Sequence, residues 1–487
     1  MNDNETTEYL ENITHDELTV GRTASLTRTL TKEDILLFAT VSGDVNPAHM
    51  DEAYANSTMF HGIIGHGMFL GGLISTVLGT IMPGPGTIYL GQELKFKAPI
   101  RVGDKITVIL TVKSRREDKP IVTFDCQCVN QAGDVTLEGT ATVLAPKEKI
   151  RQQRTAMPEV EIRTYDRYQS IMQTGRDLPP VNTAVVHAVK PHVLEAVADA
   201  TRQNLIVPVL IGPTARIIEA AETAKVDISQ WRLIDTKHSY ASALKAAELA
   251  ASGEAQAMMK GAIHTSELLA AITPTESLLH TGRYFSHTYV MDVPGYHKML
   301  FVSDAVVNIE PDLETKADIC QNAIDLWRLL YGKDKLPKVA ILASVEQTMS
   351  KLPTTVSAAA LSKMAERGQI TNAIVDGPLA LDNALSKQAA AENGIHSDVA
   401  GDTDILIAPN MEAANILARR LNFLGHSDAA GIILGARVPI IVPRPTDNLR
   451  TRLFSCSLAV FLADEQRKNE SSERREQARV KGRFFEI

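Results

Sequence analysis

The sequence predicts an α+β unit at the N-terminus, an antiparallel sheet wrapped around one long apolar helix, followed by a larger α/β unit of two lobes. Three observations carry this. The apolar run from Met68 to Met82 is followed by four segments of alternating character. A charged stretch without apolar period runs from Pro146 to about Thr164. Beyond it, short apolar runs alternate with Ala-rich helical stretches, the pattern of a parallel-rich sheet. At 487 residues the chain is too long for one ordinary core. With 44% hydrophobic and 22% charged residues and a net charge of -8, it reads as globular rather than disordered. No basic face is suggested, so nucleic acid is not an expected partner.

The first helix starts after Thr31, whose hydroxyl can cap the amide ends while Asp34 sits in the first turn, and it ends near Gly43. The run from Met68 to Met82 is broken by Gly71, Gly72, Ser75, Thr76, Gly79 and Thr80. It is shorter than the ~20 residues a membrane span needs and reads as a buried helix. Four strands follow. Ile88, Leu90, Leu94 and Phe96 mark one, Ile106 to Val112 the next, Val122 to Cys128 the third, and Val135 to about Val143 the last. Turn signals at Arg101–Asp104, Glu117–Pro120 and Gln131–Asp134 separate them.

In the second unit the apolar runs are Thr183–His187, Leu205–Ile211, Ala257–Met259, Val339–Ala343 and Asp404–Ile407. The expected domains are 1–150 and 178–464, joined by a linker over 151–177 and closed by a charged tail over 465–487. Cys126, Cys128, Cys320 and Cys456 lack the paired spacing of a disulfide or zinc framework. Cys126 and Cys128 should share one strand face as small core hydrophobes. The opening residues do not read as a signal peptide, and a reducing cytoplasm is expected.

Between Ser42 and Asp51 stand a carboxylate, Asp44, and an imidazole, His49, with Pro47 between them. Pro47 is expected to exclude a regular helix there, letting the two side chains converge. A carboxylate and a neutral imidazole around one water suit addition of water to an activated alkene, where one proton leaves water and one reaches carbon. The same string also fits an Asx-turn with a surface histidine. Gly65-His66-Gly67-Met68 opens the apolar helix, so the Gly67 N–H can hold a thioester oxygen gaining enolate charge. A glycine needed only for helix packing fits as well. His61 and His66 read as structural histidines.

From about Gly21 to Ala145 the chain resembles the MaoC-like (R)-specific enoyl-CoA hydratases. The motifs are Gly43-Asp44-Val45-Asn46-Pro47-Ala48-His49, His66-Gly67-Met68, Leu78-Gly79-Thr80 and the run from Pro83 to Gln92. The resemblance implies a hot-dog fold that dimerises, with Asp44 and His49 as the catalytic pair. It also implies that Asn46 orients the loop, Gly67 is the oxyanion donor and Ser75 supports the site.

The second unit offers Met258-Met259-Lys260-Gly261 before His264-Thr265, then Val290–Tyr296, Asp376–Ala384, Pro409–Asn415 and Leu434–Pro439. Glycine next to lysine after a strand can receive an anion, and loops at strand ends are where α/β folds place ligands. Taken singly, Lys260 fits a surface charge equally well, and Asp376 and Asp382 fit turn formers. Together these motifs resemble the phosphate acetyltransferase and phosphate butyryltransferase family across about Leu178 to Ala463. That resemblance implies transfer of an acyl group between coenzyme A and inorganic phosphate. One departure stands out. Where butyryltransferase-like members carry Thr-Ser-Arg-Ala-Asp-Ser, this chain has Pro443-Arg444-Pro445-Thr446-Asp447-Asn448, with only Asp447 in register. His187-Ala188-Val189 likewise lacks the proline that members often place after that histidine.

The expectation is therefore a hot-dog hydratase fused to a bilobal α/β phosphate acetyl/butyryltransferase-like domain of reduced activity. Lys260, Arg444 and Asp447 are its candidate transferase residues. Acyl-CoA thioesters and phosphate are the expected ligands, with no cofactor, metal or membrane, in a homo-oligomer. The alternative keeps the hydratase and makes the second domain a non-catalytic coenzyme A-binding or oligomerisation module.

Overall fold

The computed structural model describes residues 9–156, 160, 166–274 and 279–483. The chain divides into two compact units, Met1–Ile162 and Arg163–Ile487.

In the first unit, α1 (Lys32–Ser42) begins as its sequence dictates. Thr31 Oγ1 accepts from the Asp34 N–H, and the Asp34 carboxylate accepts back from the Thr31 amide. Gly43, at φ 77°, closes the helix in the left-handed conformation that favours glycine. Two short helices follow, α2 (Pro47–Met50) and α3 (Glu52–Ser57), then α4 (Gly67–Thr80). Pro47 opens α2 rather than excluding it, a correction with a simple cause. At the first helical position proline gives up only an amide that has no intrahelical acceptor.

The strands of this unit are β1 (Tyr9–Glu11), β2 (Thr23–Thr29), β3 (Ile88–Phe96), β4 (Lys105–Arg115), β5 (Ile121–Val129), β6 (Val135–Leu144) and β7 (Arg151–Gln153). A five-stranded antiparallel sheet has the order β2-β4-β5-β6-β3, and β1 pairs separately with β7. Inward-facing Val108, Leu110, Phe124, Cys126 and Val143 meet Leu70, Ile74 and Val77 of α4 in one buried core. This is the hot-dog arrangement. Cys126 and Cys128 share the inner face of β5, and burial pushes both thiols up to about 12. The helix is less buried than expected. The sheet covers only one side of α4, so Met68 is 54% exposed and Ser75 lies on the open face.

The second unit contributes β8 (Val181–Val186), β9 (Ile206–Gly212), β10 (Arg232–Asp235), β11 (Ala257–Lys260), β12 (Ser286–Asp292) and β13 (Leu300–Ser303). It continues with β14 (Lys338–Leu342), β15 (Ile374–Leu379), β16 (Ile405–Ile407), β17 (Asp428–Leu434) and β18 (Ile440–Ile441). All eleven join one sheet in the order β10-β9-β8-β11-β18-β17-β12-β13-β16-β14-β15. The runs β10 to β18 and β13 to β15 are parallel, and the strands from β18 to β13 in the middle pair antiparallel. Two parallel lobes thus meet at an antiparallel seam. Helices cover both faces, which is why these strands read as continuous apolar runs rather than alternations.

Two sequence expectations change here. Asp166–Asp177, assigned to the linker, is a helix that buries Tyr168 and Met172, with the Tyr168 ring edge-on to Phe454 at 5.2 Å. The linker residues 157–159 and 161–165 lie outside the described residues. The tail from Glu465 is not a separate element, because the final helix runs unbroken over Leu449–Arg483. No glycine or proline interrupts it before Gly482, and Gln466 still donates to the Arg437 carbonyl at 2.8 Å. Among the described residues no helix is long and apolar enough to cross a membrane.

Candidate active sites

In the first unit the ends of α1, α2 and α4 bring the predicted pair together. Asn46 caps α2 by accepting from the Ala48 N–H at 3.0 Å, which sets the turn between Asp44 and His49. His49 Nδ1 lies 2.8 Å from the Ile64 carbonyl oxygen. A carbonyl only accepts, so Nδ1 carries a proton, and in the neutral ring the lone pair is on Nε2, the form a base needs. The Asp44 side chain is exposed, and its Oδ1 accepts from the Asn46 N–H at 3.3 Å. The Asx-turn geometry is therefore present alongside the convergence, not instead of it.

A third residue joins them. His66 is buried, its Nε2 lies 3.0 Å from the Asp44 carbonyl oxygen, and its ring lies against His49, tilted by 35°, at 3.9 Å between centroids. Ligating atoms of Asp44, His49 and His66 all lie within 4.8 Å of one another, so these three could hold a metal ion. One nitrogen of each ring, His49 Nδ1 and His66 Nε2, is committed to a backbone carbonyl oxygen. His61, by contrast, is exposed.

Gly67 is the first residue of α4, where amides lack intrahelical acceptors. A Cβ there would stand 3.0 Å from the Phe96 ring, so the close packing favours glycine. Ser75 lies two turns further along the open face of α4, and no hydrogen bond joins it to Asp44 or His49 among the described residues.

In the second unit Lys260, at the end of β11, and Arg444, after β18, line the same small cavity of about 30 Å³, beside Gly261, Pro443 and Pro445. Burial lowers the Lys260 pKa, and the Asp447 carboxylate opposes that shift. Arg444 is already engaged. Its Nε donates to Asp447 Oδ1 and its backbone N–H to Asp447 Oδ2, each at 2.8 Å. Gly261 has a structural reason as well, since a Cβ there would lie 2.4 Å from the Val186 carbonyl oxygen. A larger cavity of the unit, about 570 Å³, lies elsewhere, between Arg283, Asn322, Leu434 and Leu462.

Sequence reasoning missed Tyr289 and His287 on β12. The Arg444 guanidinium carbon lies 5.8 Å from the Tyr289 ring centroid, and Tyr289 stands edge-on to the fully buried His287. Both sit in a strand that reads as core, and only the loop's return to β12 brings them to Arg444.

Residues 240–451 match the family described as Phosphate acetyl/butaryl transferase, and residues 17–127 the family described as MaoC like domain. A phosphate acetyltransferase of Rhizobium meliloti is 45% identical over 301 residues, 62% of this chain and 95% of that protein. Among solved structures, a branched-chain phosphotransacylase from Enterococcus faecalis V583 is 26% identical, with a TM-score of 0.51 over 58% of this chain and 99% of that one. The R-hydratase PhaJ1 from Pseudomonas aeruginosa is 42% identical, with a TM-score of 0.31 over 32% of this chain and 99% of that one.

Proposed function

The chain belongs to the phosphate acetyl/butaryl transferase family and carries a MaoC-like domain ahead of that region, and from this premise we propose that its first unit hydrates trans-2-enoyl-CoA to (R)-3-hydroxyacyl-CoA. The observation that carries the reading is the convergence of Asp44 and His49, with the Ile64 contact placing the neutral ring's lone pair on Nε2. In the proposed reaction the pair holds a water. The water oxygen bonds to Cβ as the pair takes one of its protons, and a proton is delivered to Cα. The Gly67 N–H receives the thioester oxygen while it carries enolate charge. Asn46 sets the turn that joins the pair, and a role for Ser75 requires something other than direct contact with it. The experiment is hydration of crotonyl-CoA by the full-length chain with chiral analysis of the product.

For the second unit we infer weak transfer of acyl groups between coenzyme A and phosphate. Pro445 offers no charge, no side-chain donor and no backbone N–H where the family places arginine. The Arg444 pairing with Asp447 supports the same reading, because part of its donor fork is already committed. A non-catalytic coenzyme A-binding or oligomer-building role is the reading to which full absence of transfer would lead. The free, buried cysteines suit a cytoplasmic setting. Exposed Ile88, Leu90 and Phe96 on the edge strand β3 suit self-association, which light scattering on the purified chain tests.

A further inference from the structure

We propose that His66 is the positioning residue of the Asp44–His49 pair, holding both members through a neutral ring fixed as its Nε2–H tautomer. The inference rests on the hydratase reading above.

His66 precedes α4 at its N-cap position, but its side chain makes no capping hydrogen bond. The imidazole is turned instead toward Asp44, whose carbonyl oxygen lies 3.0 Å from Nε2. Since that oxygen can only accept, Nε2 is the donor. Nδ1 is buried and has no hydrogen-bond partner among the described residues. A proton there would be an unpaired buried N–H, which costs more than leaving the lone pair. The ring is 2% exposed and wedged by Phe38, at 4.9 Å between centroids, and His49, at 3.9 Å.

The consequence is mechanical. The other hydrogen bonds of the 43–46 loop are local among the described residues: Gly43 to Ala39, Val45 to Gly43, Asp44 to Ser42, Asn46 to Asp44, and Ala48 and His49 to Asn46. Contact with His66, 22 positions away in sequence, is what ties this loop to the start of α4. The same residue fixes the face of the His49 ring and directly precedes Gly67. Together with the Ile64 contacts to Ala48 and His49, this side chain sets the distance between the acid/base pair and the oxyanion amide. A displacement of ~1 Å in such a constellation costs on the order of 10²-fold in rate.

The test uses the full-length chain, crotonyl-CoA, and the variants His66→Phe and His66→Gln. Phenylalanine keeps the stacking and loses the donor, whereas the glutamine side-chain amide reaches toward the position of Nε2. His66→Phe is expected to lower kcat about 10- to 100-fold with KM within about twofold, and His66→Gln to recover about tenfold of that loss. Wild-type kcat in His66→Phe, with Asp44→Asn inactive, would overturn the positioning role and leave the hydratase reading standing. No hydration by the wild-type chain would overturn both. Nitrogen NMR of ¹⁵N-histidine-labelled wild type decides the matter even if neither variant folds. The Nε2–H form at His66 is expected, and the Nδ1–H form or a doubly protonated ring overturns the proposal.

Discussion

Asp44 and His49 differ in how firmly they are held: the histidine is pinned through Nδ1 to Ile64, while the aspartate sits exposed on a short turn. Asp44→Asn keeps the shape and removes the proton acceptor, and His49→Ala removes its partner. Each should lower kcat for crotonyl-CoA by about 10²-fold or more in steady-state assays, and near-normal turnover in either would return the motif to a structural turn. In the second unit the decisive residues are Arg444 and Pro445. The double variant Arg444→Ser, Pro445→Arg should raise phosphate-dependent consumption of butyryl-CoA by about two to three decades, the worth of one preorganised charged contact. Ordinary wild-type rates, unchanged or lowered by the substitutions, would mean the departure is harmless. At this scale the sequence was informative where partners are close in the chain. Asp44, Asn46 and His49 lie within one turn of each other and announce themselves. His66 reads as structural in the sequence because its partner is far off in the chain, and Tyr289 is hidden for the same reason.

The seam strand β12 carries a buried histidine with a consequence for stability. Burial, reinforced by the nearby Arg444 charge, pushes the His287 pKa from 6.5 down to about 3. The folded-state pKa is lower than the unfolded one, so between these values the unfolded chain binds the proton and the folded chain does not. Stability from this group is intact above pH 6.5 and is lost as pH falls toward 3, by at most about 1.4 kcal/mol per pH unit. Urea midpoints of the full-length chain at pH 7.5 and pH 5 should therefore fall less in His287→Leu than in wild type. Equal losses on acidification would contradict the assignment. Elements with strong local signals were legible: the Thr31 capping box, the Gly43 stop, the alternation along β4 and β5, and the apolar runs of the parallel strands. The helix Asp166–Asp177 was not, because its sequence is mostly polar and its buried apolar side chains Tyr168 and Met172 acquire meaning only against Phe454 and its neighbours on the final helix. The open face of α4 was not legible either, since an apolar run does not say on how many sides it will be covered.

At the scale of the molecule, a hot-dog MaoC-like domain and a phosphate acyltransferase domain share one chain, and the substrates proposed for both are thioesters of coenzyme A. Their candidate sites draw on separate residues, Asp44 to Gly67 in the first unit and Lys260 to Asp447 in the second. The substitutions at one site should therefore leave the other activity unchanged. Asp44→Asn is expected to leave phosphate-dependent transfer at its wild-type level, and a parallel fall in both would show a coupling that separate sites do not provide. The two-unit architecture was legible because the hydrophobic pattern changes period across the charged stretch after Pro146, while the extent of the final helix was not, because charge alone does not distinguish a solvated helix from a tail. The most direct test of the account is the stereochemistry of hydration by the full-length protein. Incubated with crotonyl-CoA, it should yield (R)-3-hydroxybutyryl-CoA, and the same protein carrying His49→Ala should yield almost none. The (S) product, or wild-type yield from the variant, would contradict it.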